Sequence, residues 1–118
     1  MTFSRQRVRV AYSAQYRDPV RGDVGQFLTI VQRDDEYPDW VWCIGPDGRE
    51  GWVPLQFLRI DGNRAALLRG YDARELSVNA GDEVAVLEEI GGWARVTATD
   101  GRTGWVRADC LTDEPPSA

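Results

Sequence analysis

An internal repeat is the feature that most limits what this chain can fold into. Residues 40–58 align without a gap with residues 93–111, and eight of the nineteen positions are identical. The identities include two tryptophans, two glycines and the run Asp-Gly-Arg, a combination too rare for chance agreement. The 118 residues therefore hold two copies of one structural unit, and the differences between the copies carry the functional information.

The match continues upstream with two changes of spacing. Tyr12 aligns with Tyr71 at an offset of 59 residues and Gly25 with Gly81 at an offset of 56, against 53 for the tryptophan block. The first copy thus carries two short insertions. Insertions of this size are tolerated in surface loops because loop-closure entropy rises slowly with length. We expect two loops to differ on a shared scaffold.

Composition and charge exclude several classes of protein. No apolar run approaches the roughly 18 residues of a membrane helix, and residues 1–10 lack the apolar stretch of a signal peptide, so we expect a soluble, cytoplasmic protein. A net charge of -5 argues against nonspecific binding to nucleic acid or anionic membranes. The chain has no histidine, no phosphate-binding glycine loop and no spaced metal ligands. We therefore expect no enzymatic activity, no cofactor and no metal site.

The local pattern predicts short β-strands throughout, separated by Gly, Pro and Asp, with no helical periodicity. Residues 45–48 and 99–101 have the composition of tight turns.

Cys43 and Cys110 fall at non-equivalent positions, so we expect a buried Cys43, a surface Cys110 and no disulfide. Alternation of side chains predicts that Val41, Cys43 and Val53 point inward, that Trp40, Trp42 and Trp52 point outward, and that Trp42 with Trp52 and Arg95 with Trp105 form cross-strand pairs.

The second copy closely resembles a Src-homology-3 (SH3) domain. Residues 66–73 resemble the Ala-Leu-Tyr-Asp-Tyr opening of that family, and Glu75-Leu-Ser, Gly81-Asp, Gly92-Trp and Gly104-Trp-Val follow in the family's order. The first copy is similar to a bacterial variant and ends in Gly-Trp-Val-Pro at residues 51–54. The resemblance implies an all-β fold of two tandem SH3-like five-stranded barrels at 7–60 and 64–112, followed by a flexible tail at 113–118. Residues 60–64 would form a short linker.

The resemblance also implies a binding site, because SH3 domains bind extended proline-rich peptides in an aromatic groove flanked by acidic loops. The aromatic residues would form the groove, and the acidic residues would attract an arginine or lysine of the peptide. Val10 departs from the family pattern, since it replaces the first tyrosine of the opening motif. The residues of the first copy that match the site are Tyr12, Tyr16, Asp18, Asp34, Asp35, Glu36, Trp40, Pro54 and Phe57.

The second copy departs further from the family pattern. Arg107 stands in place of the groove proline and Cys110 in place of the last groove aromatic residue. A positive charge at that position would repel the basic end of a ligand. We interpret the second barrel as structural or as bound to the first, in preference to the alternative that it binds a peptide independently.

Three functions compete at this stage. The preferred one is a noncatalytic protein-interaction module whose first barrel binds a proline-rich or basic peptide. The alternative is a structural or oligomerising protein, such as a homodimer, whose tryptophan faces are used in packing. A cell-wall-binding relative of the fold would need an export signal. Analogy of fold alone does not choose among them.

Overall fold

The computed structural model describes residues 4–15, 19–33 and 36–112, and these ranges contain short β-strands without an α-helix. The strands are β1 Ser4–Arg7, β2 Arg21–Gly22, β3 Phe27–Arg33, β4 Trp40–Ile44, β5 Glu50–Pro54, β6 Leu58–Asp61, β7 Arg64–Leu67, β8 Tyr71–Asp72, β9 Glu83–Ile90, β10 Trp93–Ala98 and β11 Thr103–Arg107. Two 3₁₀ helices follow β5 and β11, at Leu55–Phe57 and Ala108–Cys110. The all-β class expected from the sequence is confirmed over the described residues.

The strands form two compact units, and each unit contains segments of both repeats. One unit combines Met1–Gln15 with Glu75–Ala118 and is called the split unit below. The other is the continuous stretch Tyr16–Arg74, called the inserted unit because it interrupts the sequence of the split unit. The expected boundaries at 7–60 and 64–112 follow the repeats. Each observed unit instead joins the opening segment of one repeat to the remainder of the other. The expected tail at 113–118 lies outside the described residues.

The split unit contains one antiparallel sheet with the strand order β1-β9-β10-β11. β1 comes from the first repeat and lies at the edge of this sheet, with Arg5 opposite Ala85. A bridge between Tyr12 and Val78 continues the pairing. The buried core mixes the two segments and consists of Val8, Tyr12, Leu76, Val78, Val84, Ala94, Val96, Val106, Cys110 and Leu111.

The inserted unit contains a five-stranded antiparallel sheet in the order β5-β4-β3-β7-β6 and a separate β2-β8 pair. The inward faces predicted from alternation are confirmed, because Val41, Cys43 and Val53 are completely buried. β7 comes from the second repeat and lies between β3 and β6, with Arg64 opposite Thr29. The first repeat therefore receives an interior strand from the second.

The two opening segments occupy equivalent places in the two sheets. Arg5 of β1 corresponds to Arg64 of β7 at the offset of 59, and Ala85 of β9 corresponds to Thr29 of β3 at the offset of 56. These are the offsets at which the repeats align. The molecule thus forms the same strand pairing twice, with the partners exchanged between the repeats.

A tight turn between β6 and β7 accounts for the exchange. The two strands pair up to Asp61 and Arg64, which leaves only Gly62 and Asn63 in the turn. Gly62 has a φ of +65°, a left-handed conformation that glycine adopts without steric penalty. Because this turn returns the chain alongside β6, β7 completes the sheet of the inserted unit. The segment expected as a linker is a β-hairpin.

The repeated Asp-Gly-Arg sequences form the turns of the β4–β5 and β10–β11 hairpins, as predicted. Gly48 and Gly101 have φ values of +85° and +91°. Asp47 and Asp100 each accept a hydrogen bond from the backbone N–H of the arginine two positions later, at 3.0 and 3.1 Å. These bonds, together with the guanidinium groups of the same arginines, lower the pKa of both carboxyl groups. The repeat therefore preserves turn-forming residues at these positions.

Candidate functional site

The described peptide-binding residues predicted from the sequence are divided between the two units. Tyr12 belongs to the split unit, whereas Trp40, Pro54 and Phe57 belong to the inserted unit. Glu36 is exposed and is the described member of the predicted acidic run before Trp40. The other four residues, Tyr16, Asp18, Asp34 and Asp35, lie outside the described residues.

Tyr71 takes the place in the inserted unit that was predicted for Tyr12. Its ring packs edge-on against Phe57, with 5.6 Å between the ring centroids. Its hydroxyl donates a hydrogen bond of 2.7 Å to the carbonyl oxygen of Trp52. The prediction of Tyr12 at this position is corrected by the strand exchange, which brings β8 of the second repeat beside β2 of the first.

Two of the predicted groove residues of the inserted unit, Trp40 and Phe57, are buried. Trp40 is 3% exposed and Phe57 is 4% exposed, although alternation predicted Trp40 on an open outer face. The guanidinium carbon of Arg69 lies 4.3 Å from the centroid of the Phe57 ring, in a cation–π contact. Alternation predicts the face on which a side chain lies, but it does not predict what packs over that face. Trp40 and Phe57 therefore offer little free surface to a ligand in this structure.

Tyr12 and Trp93 form a second aromatic pair, in the split unit. Their ring centroids are 5.7 Å apart and their planes are nearly perpendicular, at 88°. Tyr12 is buried, at 7% exposure, whereas Trp93 is only partly buried. This arrangement leaves part of the indole accessible to a ligand. We call Tyr12, Trp93 and the neighbouring Glu75 the aromatic ledge.

Glu75 adds a carboxylate to the aromatic ledge. Its Oε1 accepts a hydrogen bond of 2.7 Å from the backbone N–H of Gln15. Burial raises the pKa of the Glu75 carboxyl, and the Gln15 N–H and the Tyr12 hydroxyl oppose this shift. A partly buried carboxylate near an aromatic ring is suited to hold a cationic side chain.

Arg107 lies opposite Trp93 in the β10–β11 pairing, at the position where the family has a proline. Its guanidinium forms a salt bridge of 2.9 Å with Asp109, so a negative charge accompanies the positive one. Cys110 follows on the 3₁₀ helix and is 6% exposed, which corrects the expectation of a surface cysteine. Alternation gives no information in a 3₁₀ helix, and for that reason the burial of Cys110 was not predicted.

The predicted cross-strand pairs on the outer sheet faces are confirmed. Trp42 and Trp52 are opposite in register and pack edge to face, with centroids 5.0 Å apart. The Trp42 indole N–H donates a hydrogen bond of 2.8 Å to Glu50. In the split unit, Arg95 lies opposite Trp105, which is 2% exposed. At these equivalent positions, the inserted unit therefore has two tryptophans and the split unit has an arginine opposite a tryptophan.

The described residues provide little support for other kinds of site. Cys43 and Cys110 are both free thiols, and burial raises the pKa of the Cys43 thiol to about 12. Within residues 4–15, 19–33 and 36–112, no three His, Cys, Asp or Glu side chains are arranged to hold a metal ion. Over the same ranges, none of the helical segments has the length and hydropathy needed to span a membrane.

Sequence reasoning missed Tyr71, Trp93 and Glu75 as members of aromatic sites. Tyr71 and Trp93 had been aligned with the family motif, but the site was assigned within one repeat. The signal that could have revealed the exchange is the pair Gly62-Asn63, since Gly-Asn between two β-rich runs is typical of a tight hairpin. A hairpin at this point requires β7 to pair with β6.

Comparison with known proteins supports the SH3 resemblance for the C-terminal part of the split unit. Residues 77–112 match the family model described as Bacterial SH3 domain. The SH3 domain-containing protein Dlish of Drosophila melanogaster is 47% identical over 34 residues, which are 29% of this chain and 9% of that protein. The matched part is thus a small fraction of the length of that relative. Residues 77–112, which include Trp93 and Arg107, are similar to bacterial SH3 domains, and this similarity points to a protein-interaction module.

Proposed function

We propose that this protein is a noncatalytic protein-interaction module that binds an extended peptide at the aromatic ledge of the split unit. The observation that carries the proposal is the partly accessible indole of Trp93, packed against Tyr12, whose hydroxyl influences the Glu75 carboxyl. Aromatic faces bind extended proline-rich chains because such chains lose little conformational entropy on binding. The similarity of residues 77–112 to bacterial SH3 domains supports the same reading.

The charges around the aromatic ledge suggest the chemistry of the peptide. The Glu75 carboxylate favours an arginine or lysine of the partner. Arg107 opposes this preference, but its salt bridge with Asp109 places an anion within 2.9 Å of its guanidinium. We therefore propose a peptide with proline or other apolar residues and one basic side chain that reaches Glu75.

The location of the proposed site differs from the sequence-based hypothesis. The Trp40 and Phe57 rings of the inserted unit are buried, and Arg69 lies over Phe57. A peptide would have to displace that guanidinium before it contacted the ring. Trp93 of the split unit is only partly buried, and this difference favours the split unit as the binding unit.

Substitution of Trp93 tests the proposal. The probe is a set of synthetic proline-rich peptides that contain one arginine, with binding measured by isothermal titration calorimetry. For a peptide that binds the natural chain, Trp93→Ala is expected to weaken binding at least about tenfold, or about 1.4 kcal/mol. Trp52→Ala is the matched control, because Trp52 is a partly buried tryptophan of the inserted unit. Equal affinities of the Trp93→Ala and natural chains would rule out the aromatic ledge as the binding site.

A second candidate function is supported by a separate observation. Trp40 and Trp105 are 3% and 2% exposed, so two of the five tryptophans are already used in packing. A structural protein that uses its tryptophan faces in this way would bind none of the peptides. Its Trp93→Ala variant would lose stability without any change in binding, and the same calorimetric experiment therefore distinguishes the two functions.

A further inference from the structure

We propose that a second copy of this chain can supply residues 4–15 to the split unit, so that two molecules form a strand-exchanged dimer. The observation behind the proposal is that residues 4–15 are distant in sequence from the rest of the split unit. Residues 4–15 pack within the split unit, yet the chain continues directly from Gln15 into the inserted unit. Fifty-nine residues along the chain separate Gln15 from Glu75, where the split unit resumes. Domain exchange needs only that the same contacts form between molecules.

The backbone contacts of the segment form a continuous edge that any copy of residues 4–15 could fill. Beyond the β1–β9 ladder, the Val8 N–H donates to Asp82 at 2.8 Å, and Val8 accepts a bond from Gly81 at 2.8 Å. Tyr12 and Val78 exchange two hydrogen bonds of 2.9 Å each. Without residues 4–15 these backbone groups would form an open sheet edge, which is a template for pairing with another chain.

Side chains make the same edge selective for this segment. Val8 and Tyr12 are 1% and 7% exposed in the core of the split unit, so a suitable strand must place apolar groups at both positions. Arg7 lies opposite Glu83 in the β1–β9 register, a pairing of opposite charges. These requirements match residues 4–15 of a second copy.

The equivalent segment in the inserted unit lacks this freedom. β7 fills the same position as β1, but Gly62 and Asn63 connect it directly to β6 of its own sheet. A strand held by a two-residue turn remains beside its neighbour in the same molecule. Exchange between molecules is therefore specific to β1, and β7 serves as an internal control.

The exchange would place the aromatic ledge between two molecules. Trp93 and Glu75 would come from one copy and Tyr12 from the other, with the ring contact and the hydrogen bond from the Gln15 N–H to Glu75 retained. Dimerisation would then preserve the ledge. This inference does not depend on what the ledge binds.

Engineered cysteines in the full chain test the proposal directly. Arg5→Cys with Ala85→Cys places two thiols opposite each other across β1 and β9. Thr29→Cys with Arg64→Cys places them at the equivalent positions of β3 and β7. Each variant is refolded from urea over a range of protein concentrations, oxidised and separated on a non-reducing gel. Cys43 and Cys110 are buried, and burial raises the pKa of both thiols, so they compete little for oxidation.

The two variants are expected to behave differently with concentration. The ratio of covalent dimer to monomer should rise about tenfold for each tenfold rise in concentration in the Arg5→Cys, Ala85→Cys chain while dimer remains the minor species, by mass action. The Thr29→Cys, Arg64→Cys chain should give only cross-linked monomer. Cross-linked monomer from both variants at every concentration would overturn the proposal. Formation of a disulfide by Arg5→Cys with Thr29→Cys in place of Ala85→Cys would overturn the strand pairing on which it rests.

A measurement on the unmodified chain keeps the proposal testable if a variant fails to fold. The chain is refolded at high concentration and examined by size-exclusion chromatography with light scattering. A dimer that persists on dilution for longer than the chromatographic run is expected, because its dissociation requires β1 to leave the sheet. A monomer at every refolding concentration would overturn the proposal.

Discussion

Trp40 and Trp93 occupy the same position of the two repeats but differ in burial. Trp40 is 3% exposed and Trp93 is partly buried. Trp40→Ala is therefore expected to lower the free energy of unfolding by about 3–5 kcal/mol, as for other buried aromatic side chains, and Trp93→Ala by less. Urea unfolding followed by circular dichroism measures both losses. A smaller loss for Trp40→Ala than for Trp93→Ala would contradict the burial described above.

Glu75 should make stability depend on pH. Its carboxyl has a raised pKa in the folded chain because of burial, so it binds its proton more tightly there than in the unfolded chain. Its contribution to stability is complete below the ordinary pKa of 4.5 and is lost as the pH rises through the folded pKa. Glu75→Gln keeps the hydrogen-bond acceptor but cannot ionise. The natural chain should lose stability relative to this variant over that pH range, as measured by urea unfolding. A stability difference that is constant with pH would contradict the assignment.

Side-chain alternation predicted part of the residue-scale structure. It correctly placed Val41 and Cys43 in the core and paired Trp42 with Trp52. It failed for Trp40, because the period of a strand indicates a face and not what covers that face. The aromatic ledge could not be predicted from either repeat alone, since Tyr12 and Trp93 come from different repeats.

At the scale of strands, the sequence predicted the elements better than their partners. β1 and β7 are equivalent segments of the two repeats, so either one satisfies the pairing requirements of β3 or of β9. Periodicity and composition are the same for β1 and β7, so they do not indicate which of the two pairs with β3. Only the length of the β6–β7 connection distinguishes the two arrangements. Two residues in that connection favour the exchanged arrangement.

Gly104 and Gly51 are equivalent glycines at which the two units pack with different tightness. A Cβ at Gly104 would lie 2.9 Å from the backbone nitrogen of Leu76, whereas one at Gly51 would lie 3.1 Å from a methyl group of Val20. Backbone cannot move away as a side chain can. Gly104→Ala is therefore expected to cost about 1–3 kcal/mol of unfolding free energy, and Gly51→Ala less. Chemical denaturation of both variants measures the difference, and an equal or larger loss for Gly51→Ala would contradict this reading.

At the scale of the whole molecule, duplication and exchange together make one unit an insertion within the other. The inserted unit, Tyr16–Arg74, spans 59 residues, which is the offset between Tyr12 and Tyr71. Its strands follow a permuted order relative to the repeat, since the segment that opens a repeat comes last. The split unit keeps the order of the repeat with an interruption between Gln15 and Glu75. Because the interruption equals one repeat length, its removal restores an unbroken repeat.

Excision of residues 16–74 should therefore leave a chain that folds. The Gln15 backbone N–H donates a hydrogen bond of 2.7 Å to the Glu75 side chain, so the two residues to be joined are neighbours in the split unit. The resulting chain of roughly 60 residues lies near the lower size limit for folding without disulfides or metal, so a low but cooperative stability is expected. Urea unfolding and the near-ultraviolet circular dichroism of Trp93 and Trp105 measure it. Residues 75–118 alone are the control and should give no cooperative transition, because they lack β1 and the core side chain of Val8. Cooperative folding of that fragment, or no transition in the excised chain, would contradict the assignment of residues 4–15 to the split unit.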